Sequence, residues 1–103
     1  MLNDAEKELV AGKIANYIIS DLLYEQITSL EMNTIALEVA RDTLQADPRR
    51  TNSGMPPFHN LQADSGEIED IARLAVTTVS QDRRVLVTRT PGGNAMWFER
   101  KSG

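Results

Sequence analysis

Over the first quarter of the chain apolar residues recur three and four apart. Ala11, Ile14, Ile18 and Leu22 form one row, Ala15, Ile19 and Leu23 form the row beside it, and Tyr17 widens the band. This spacing predicts a helix over about residues 4–26. Asn3 can cap its start, with Glu6 three positions on reaching back in a capping box, and Asp4, Glu6 and Glu8 favour the positive end of the helix dipole. The apolar band is wider than the roughly 100° one helix needs to face its core. The excess predicts either a helix central to its own domain or one partly buried against a second copy, with Ile14, Tyr17, Ile18 and Leu22 at the contact.

A second helix over about 29–45 follows almost at once. Thr28 and Glu31 have the spacing of a second capping box, and Ile27 and Met32 that of a hydrophobic staple. Met32, Ile35, Ala36, Val39, Ala40 and Leu44 fall on one face, while Glu38, Arg41 and Asp42 fall on the other. So short a link predicts that the two helices form an antiparallel hairpin. Pro48 biases Asp47 away from helix, and residues 48–64, rich in Pro, Asn, Ser and Gly, read as a long loop pinned by Met55, Phe58 and Leu61. A third helix is expected over about 66–80, with Asp64 and Glu67 at its start and Ile68, Ile71, Ala72, Ala75, Val76 and Val79 on its apolar face. Its β-branched end could instead be strand. The runs VLVTRT and AMWFER, separated by Pro91, Gly92, Gly93 and Asn94, predict a two-stranded β-hairpin over about 84–100. The fold class expected is α+β: a helical hairpin, a long loop, a third helix and a C-terminal β-hairpin, in one domain spanning 1–103.

Composition narrows the function more than it defines it. The 103 residues contain no cysteine, which removes disulfides, thiolate metal sites and cysteine nucleophiles. Only 5% are aromatic, so the core is expected to be aliphatic. No run is apolar enough to span a bilayer, and an acidic, polar start is unlike a secretory signal, so the expected location is the cytoplasm, with no membrane partner. The formal charge of −4 hides an asymmetry: residues 1–48 carry nine acidic and three basic side chains, whereas residues 49–103 carry eight basic and six acidic ones. Any basic surface must be built from Arg49, Arg50, Arg83, Arg84, Arg89, Arg100 and Lys101.

Candidate chemistry is sparse. His59 is the one histidine and has no acidic neighbour in sequence to orient it, so it reads as a surface residue. Asp21 with Glu25, and Glu38 with Asp42, have the i, i+4 spacing of ligand pairs, yet neither comes with a histidine, and they read as solvated helix faces. The PGGN segment lacks the lysine and the following helix of a phosphate loop and reads as a turn. Tyr17 and Tyr24 share a helix face, which suggests packing. Trp97 and Phe98, adjacent in a strand, must face opposite sides of the sheet, one in the core and the other covered by the loop or exposed as an interface anchor. No catalytic site, cofactor or metal is expected.

Two functional expectations follow. The first is a non-enzymatic interaction domain, a homodimer that also engages an unidentified protein, with Ile14, Tyr17, Ile18, Leu22 and Trp97 at its contacts. The second rests on element order. Helix, helix, loop, helix and hairpin resemble the winged helix-turn-helix plan of transcription regulators, which implies a reading helix at 66–80 and a wing at 85–100. Arg83, Arg84, Arg89 and Arg100 would then meet phosphates. Glu67, Glu69 and Asp70 depart from that plan at the helix end that approaches the bases, as does the long link before it.

Overall fold

The computed structural model describes residues 2–44, 63–90, 92 and 96–101. Arg49, Arg50, Met55, Phe58, His59 and Leu61 therefore lie outside the described residues. The elements are α1 (Asp4–Tyr17), continued by a π turn (Ile18–Leu22), then β1 (Ile27–Thr28), α2 (Ser29–Leu44), α3 (Ser65–Gln81), β2 (Val85–Arg89) and β3 (Met96–Arg100). The class is α+β, with one antiparallel sheet of three strands in the order β1-β3-β2. The expected hairpin thus gains a strand from the corner between the first two helices. Ile27 pairs with Phe98 and Thr28 with Trp97. On the other side of β3, Val87 pairs with Phe98 and Thr88 with Trp97.

Each helix start is set by short-range chemistry. Asn3 Oδ1 accepts the Glu6 N–H at 2.8 Å while Glu6 accepts the Asn3 N–H at 3.1 Å. Asp64 and Glu67 repeat the exchange at the start of α3, at 2.8 and 3.2 Å. At α2, Thr28 Oγ1 accepts the Glu31 N–H at 3.1 Å, and Ile27 and Met32 of the expected staple are both buried. Such exchanges occupy N–H groups that the first helical turn leaves without partners.

The first helix ends earlier than its periodicity predicts. After Tyr17 the ladder loosens, and the Leu23 N–H donates to the carbonyl of Ile18, five residues back, at 2.8 Å. The wider turn changes the phase of the apolar rows, so Leu23 continues the buried row while Leu22 is half-buried. Residues 24–26 are non-helical and turn the chain into β1.

α3 is the helix on which both others pack. α1 and α2, although joined by a short corner, meet each other much less than either meets α3. The β-branched end of α3 is helical through Gln81, with Ala75 and Val79 fully buried. The over-wide band of α1 is core: Val10, Ala11, Ile14, Ala15, Ile18, Ile19 and Leu23 join Ile68, Ile71 and Phe98 in one apolar cluster. Burying each large side chain of this kind contributes about 1.5–3 kcal/mol. No helix among the described residues is long and apolar enough to cross a membrane.

Candidate interaction surfaces

The contact residues expected on α1 divide once the chain is folded. Ile14 and Ile18 are each 0% exposed, so they belong to the core and are corrected as surface contacts. The physical reason is α3, which comes from the other half of the sequence and covers the face that looked unpartnered. Tyr17 and Leu22 are half-buried and line a groove with Tyr24, Ile35 and Val39, rimmed by Glu38 and Asp42. Tyr24 is 78% exposed there. Trp97 and Phe98 do face opposite ways. Phe98 is core, and Trp97 is half-buried on the outer face of the sheet, flanked in register by Thr28 and Thr88.

The four arginines expected at a nucleic-acid contact have different duties. Arg84 is committed to Asp82: its Nε and Nη2 each donate to the carboxylate at 3.0 Å, and its backbone N–H donates at 2.8 Å. The guanidinium, and then that N–H, hold the Asp82 carboxyl down to about 2, and the same pair raises the Arg84 pKa. Arg100 Nη1 donates to the carbonyls of Ile19 at 3.1 Å and Ser20 at 3.2 Å. These carbonyls lie at the C-terminal end of the first helix, where a cation meets the negative end of the dipole. Arg83, in the turn before β2, and Arg89, the last residue of β2, are both exposed. Residues 83–101 nevertheless carry Arg83, Arg84, Arg89, Arg100 and Lys101 against Glu99 alone, with Asp82 just before them, which makes this the basic end of an acidic protein.

The acidic start of α3 is mostly consumed internally. Glu67 is buried, and its second oxygen accepts the Leu2 N–H, which ties the residues before α1 to α3. Asp70 accepts from Lys7 Nζ at 3.2 Å and also pairs with Arg73. Lys7 first and Arg73 second lower its pKa. Glu69 is exposed, as are Arg73, Thr77 and Gln81 along the outer side of the helix. The carboxylate pairs Asp21 with Glu25 and Glu38 with Asp42 remain at the surface, and among the described residues no group of three or more His, Asp or Glu is placed to hold a metal ion.

Sequence reasoning overlooked the outer face of α1. Leu9 is 60% exposed there, in a shallow depression lined also by Glu8, Gly12, Lys13, Asn16 and Ser20. The available signal was Leu9 itself, the one large aliphatic residue of the helix outside the buried rows. No protein-family model, curated protein or solved structure matches the chain.

Proposed function

We propose that the chain is a non-enzymatic binding module on the winged-helix plan, and that its basic end meets the phosphate backbone of duplex DNA. The observation that carries this reading is the topology: helix, strand, helix, helix and two-stranded ribbon, with the corner strand β1 paired to the last strand β3. The strand at the corner brings the resemblance from element order to sheet order. Charge supports it, because the basic excess lies in the ribbon and in the turn that precedes it. The start of α3 presents Glu69 in place of three free carboxylates, since Glu67 is buried and Asp70 is ion-paired. On this reading the contact runs along the outer, C-terminal part of α3, through Thr77 and Gln81, to Arg83 and Arg89. The acidic surface of α1 and α2 repels phosphate and sets the direction of approach.

The test is fluorescence anisotropy of a labelled duplex across a salt series. Binding is expected to weaken steeply between about 50 and 200 mM salt. Arg83→Ala and Arg89→Ala should each reduce the slope of log K against log salt by about 1. Arg84→Ala should do less, because Asp82 already neutralises that charge. Absence of binding to any duplex at the lowest salt would overturn the reading. A second reading would then stand, a protein-binding domain. The groove of Tyr17, Leu22, Tyr24, Ile35 and Val39 favours it, with an acidic rim suited to a basic, partly apolar segment of another protein.

A further inference from the structure

We infer that the groove between the end of the first helix and α2 is a binding site for a small organic cation, an apolar body carrying one quaternary or protonated nitrogen. In sequence Tyr17 and Tyr24 are seven residues apart in the first half of the helical corner, and Glu38 and Asp42 are four apart on α2. Folding brings both pairs to the walls of one groove. Between them Leu22, Ile35 and Val39 make an apolar floor, Val39 buried and the other two half-buried. Among the described residues, no hydrogen bond or ion pair occupies the two carboxylates or the two phenol groups. No lysine or arginine lines the groove. An anion placed there would meet two carboxylates with nothing to offset them, whereas a cation meets charge of the opposite sign and two electron-rich rings.

The three kinds of lining side chain suit the parts of one molecule. Tyrosine faces attract an ammonium group, the apolar floor takes the body attached to it, and the carboxylates neutralise its charge. Glu38 and Asp42 stand one turn apart, about 5–6 Å between Cβ atoms, close enough to share a single cationic centre. A basic protein segment brings several charges and finds only this one pair in the lining. The cavity encloses about 380 Å³, at the small end of the roughly 300–1,000 Å³ of small-molecule sites. Residues 1–48 carry nine acidic and three basic side chains, so the surrounding field also favours a cation. Tyr24 is 78% exposed and leaves one side of the groove wet, so a one-ring cation is expected to bind at about millimolar concentration. The site lies on α1 and α2, apart from Thr77, Gln81, Arg83 and Arg89, and stands independently of the nucleic-acid reading.

The experiment is an NMR titration of the full chain, following the ring signals of Tyr17 and Tyr24, with benzyltrimethylammonium as the probe and no nucleic acid present. Both rings are expected to shift along one saturable curve. The neutral alcohol 2-methyl-1-phenyl-2-propanol, of nearly the same shape, and the anion phenylacetate should bind at least about fivefold more weakly. Tyr24→Ala, followed at Tyr17, should weaken binding of the cation about two- to fivefold. Glu38→Gln combined with Asp42→Asn should weaken it by about fivefold. These side chains lie at the surface, and unchanged circular dichroism confirms that the variants fold. No saturable shift at either tyrosine overturns the inference. So does an alcohol that binds as tightly as the cation, or a cation affinity that neither variant changes. A lysine-rich amphipathic decapeptide that shifts the same rings at about a tenth of the probe's concentration also overturns it, and gives the groove to a protein segment.

Discussion

Glu67 is expected to be worth more to stability than any other carboxylate of the chain, because it closes two structural tasks with one side chain. It sits at the third position of α3 and is 8% exposed. Its Oε1 accepts the Asp64 N–H at 3.2 Å, completing the capping box, and its Oε2 accepts the Leu2 N–H from 65 residues earlier in sequence. Glu67→Ala removes both acceptors. A buried N–H left without a partner costs about 1–3 kcal/mol. The lost return bond of the box and the lost contacts of the side-chain stem add roughly 1 kcal/mol. The expected total is about 3 kcal/mol, a large part of the 5–15 kcal/mol that a domain of this size has in all. Each kcal/mol corresponds to about 4–8 °C in a chain of some 100 residues, so the melting temperature should fall by about 12–24 °C. Glu67→Gln keeps the stem and one carbonyl oxygen but sets an amide NH2 against one of the two N–H donors, and should cost about half as much. Urea unfolding followed by far-ultraviolet circular dichroism gives the free energies, and hydrogen exchange at Leu2 reports the clamp directly. An alanine variant within about 0.5 kcal/mol of the parent, or Leu2 exchange that Glu67→Ala leaves unchanged, would refute the reasoning.

Two further outcomes follow from the charged groups. The Asp82 carboxyl titrates near 2 in the folded chain against an ordinary value of 3.8, so the stability it contributes is complete above the ordinary value and is lost as pH falls through the folded one. Asp82→Asn should therefore be less stable than the parent at neutral pH by about 1 kcal/mol or less, the shift being discounted for solvent access, and the gap should narrow as pH falls from about 4 toward 2; a gap independent of pH would contradict this. Arg100→Ala should cost about 1 kcal/mol and speed hydrogen exchange around Leu22 and Leu23, because the carbonyls of Ile19 and Ser20 lose their donor; exchange there that matches the parent would contradict it.

What the sequence made legible was local chemistry. The three capping boxes, at Asn3, Thr28 and Asp64, involve residues three apart, and all three form. The ribbon was legible from its glycines, and Gly92 takes the positive φ, 100°, that the reversal demands. What escaped depends on distant partners. β1 is two residues long and exists because Phe98 and Trp97 offer it a free edge, so no periodicity could announce it. The π turn widens the end of the first helix, and of the two apolar rows that the 3.6-residue count lays out, the one ending at Leu23 stays buried while Leu22, at the end of the other, is half-buried. The width of the α1 band was read correctly as an excess of apolar surface, but its cover is α3, and nothing near Ile14 or Ile18 in sequence says which distant helix will arrive. For the same reason the face of α1 that is open, around Leu9 and Gly12, drew no notice: one exposed leucine and one glycine are a weak pattern until the rest of the helix has been accounted for.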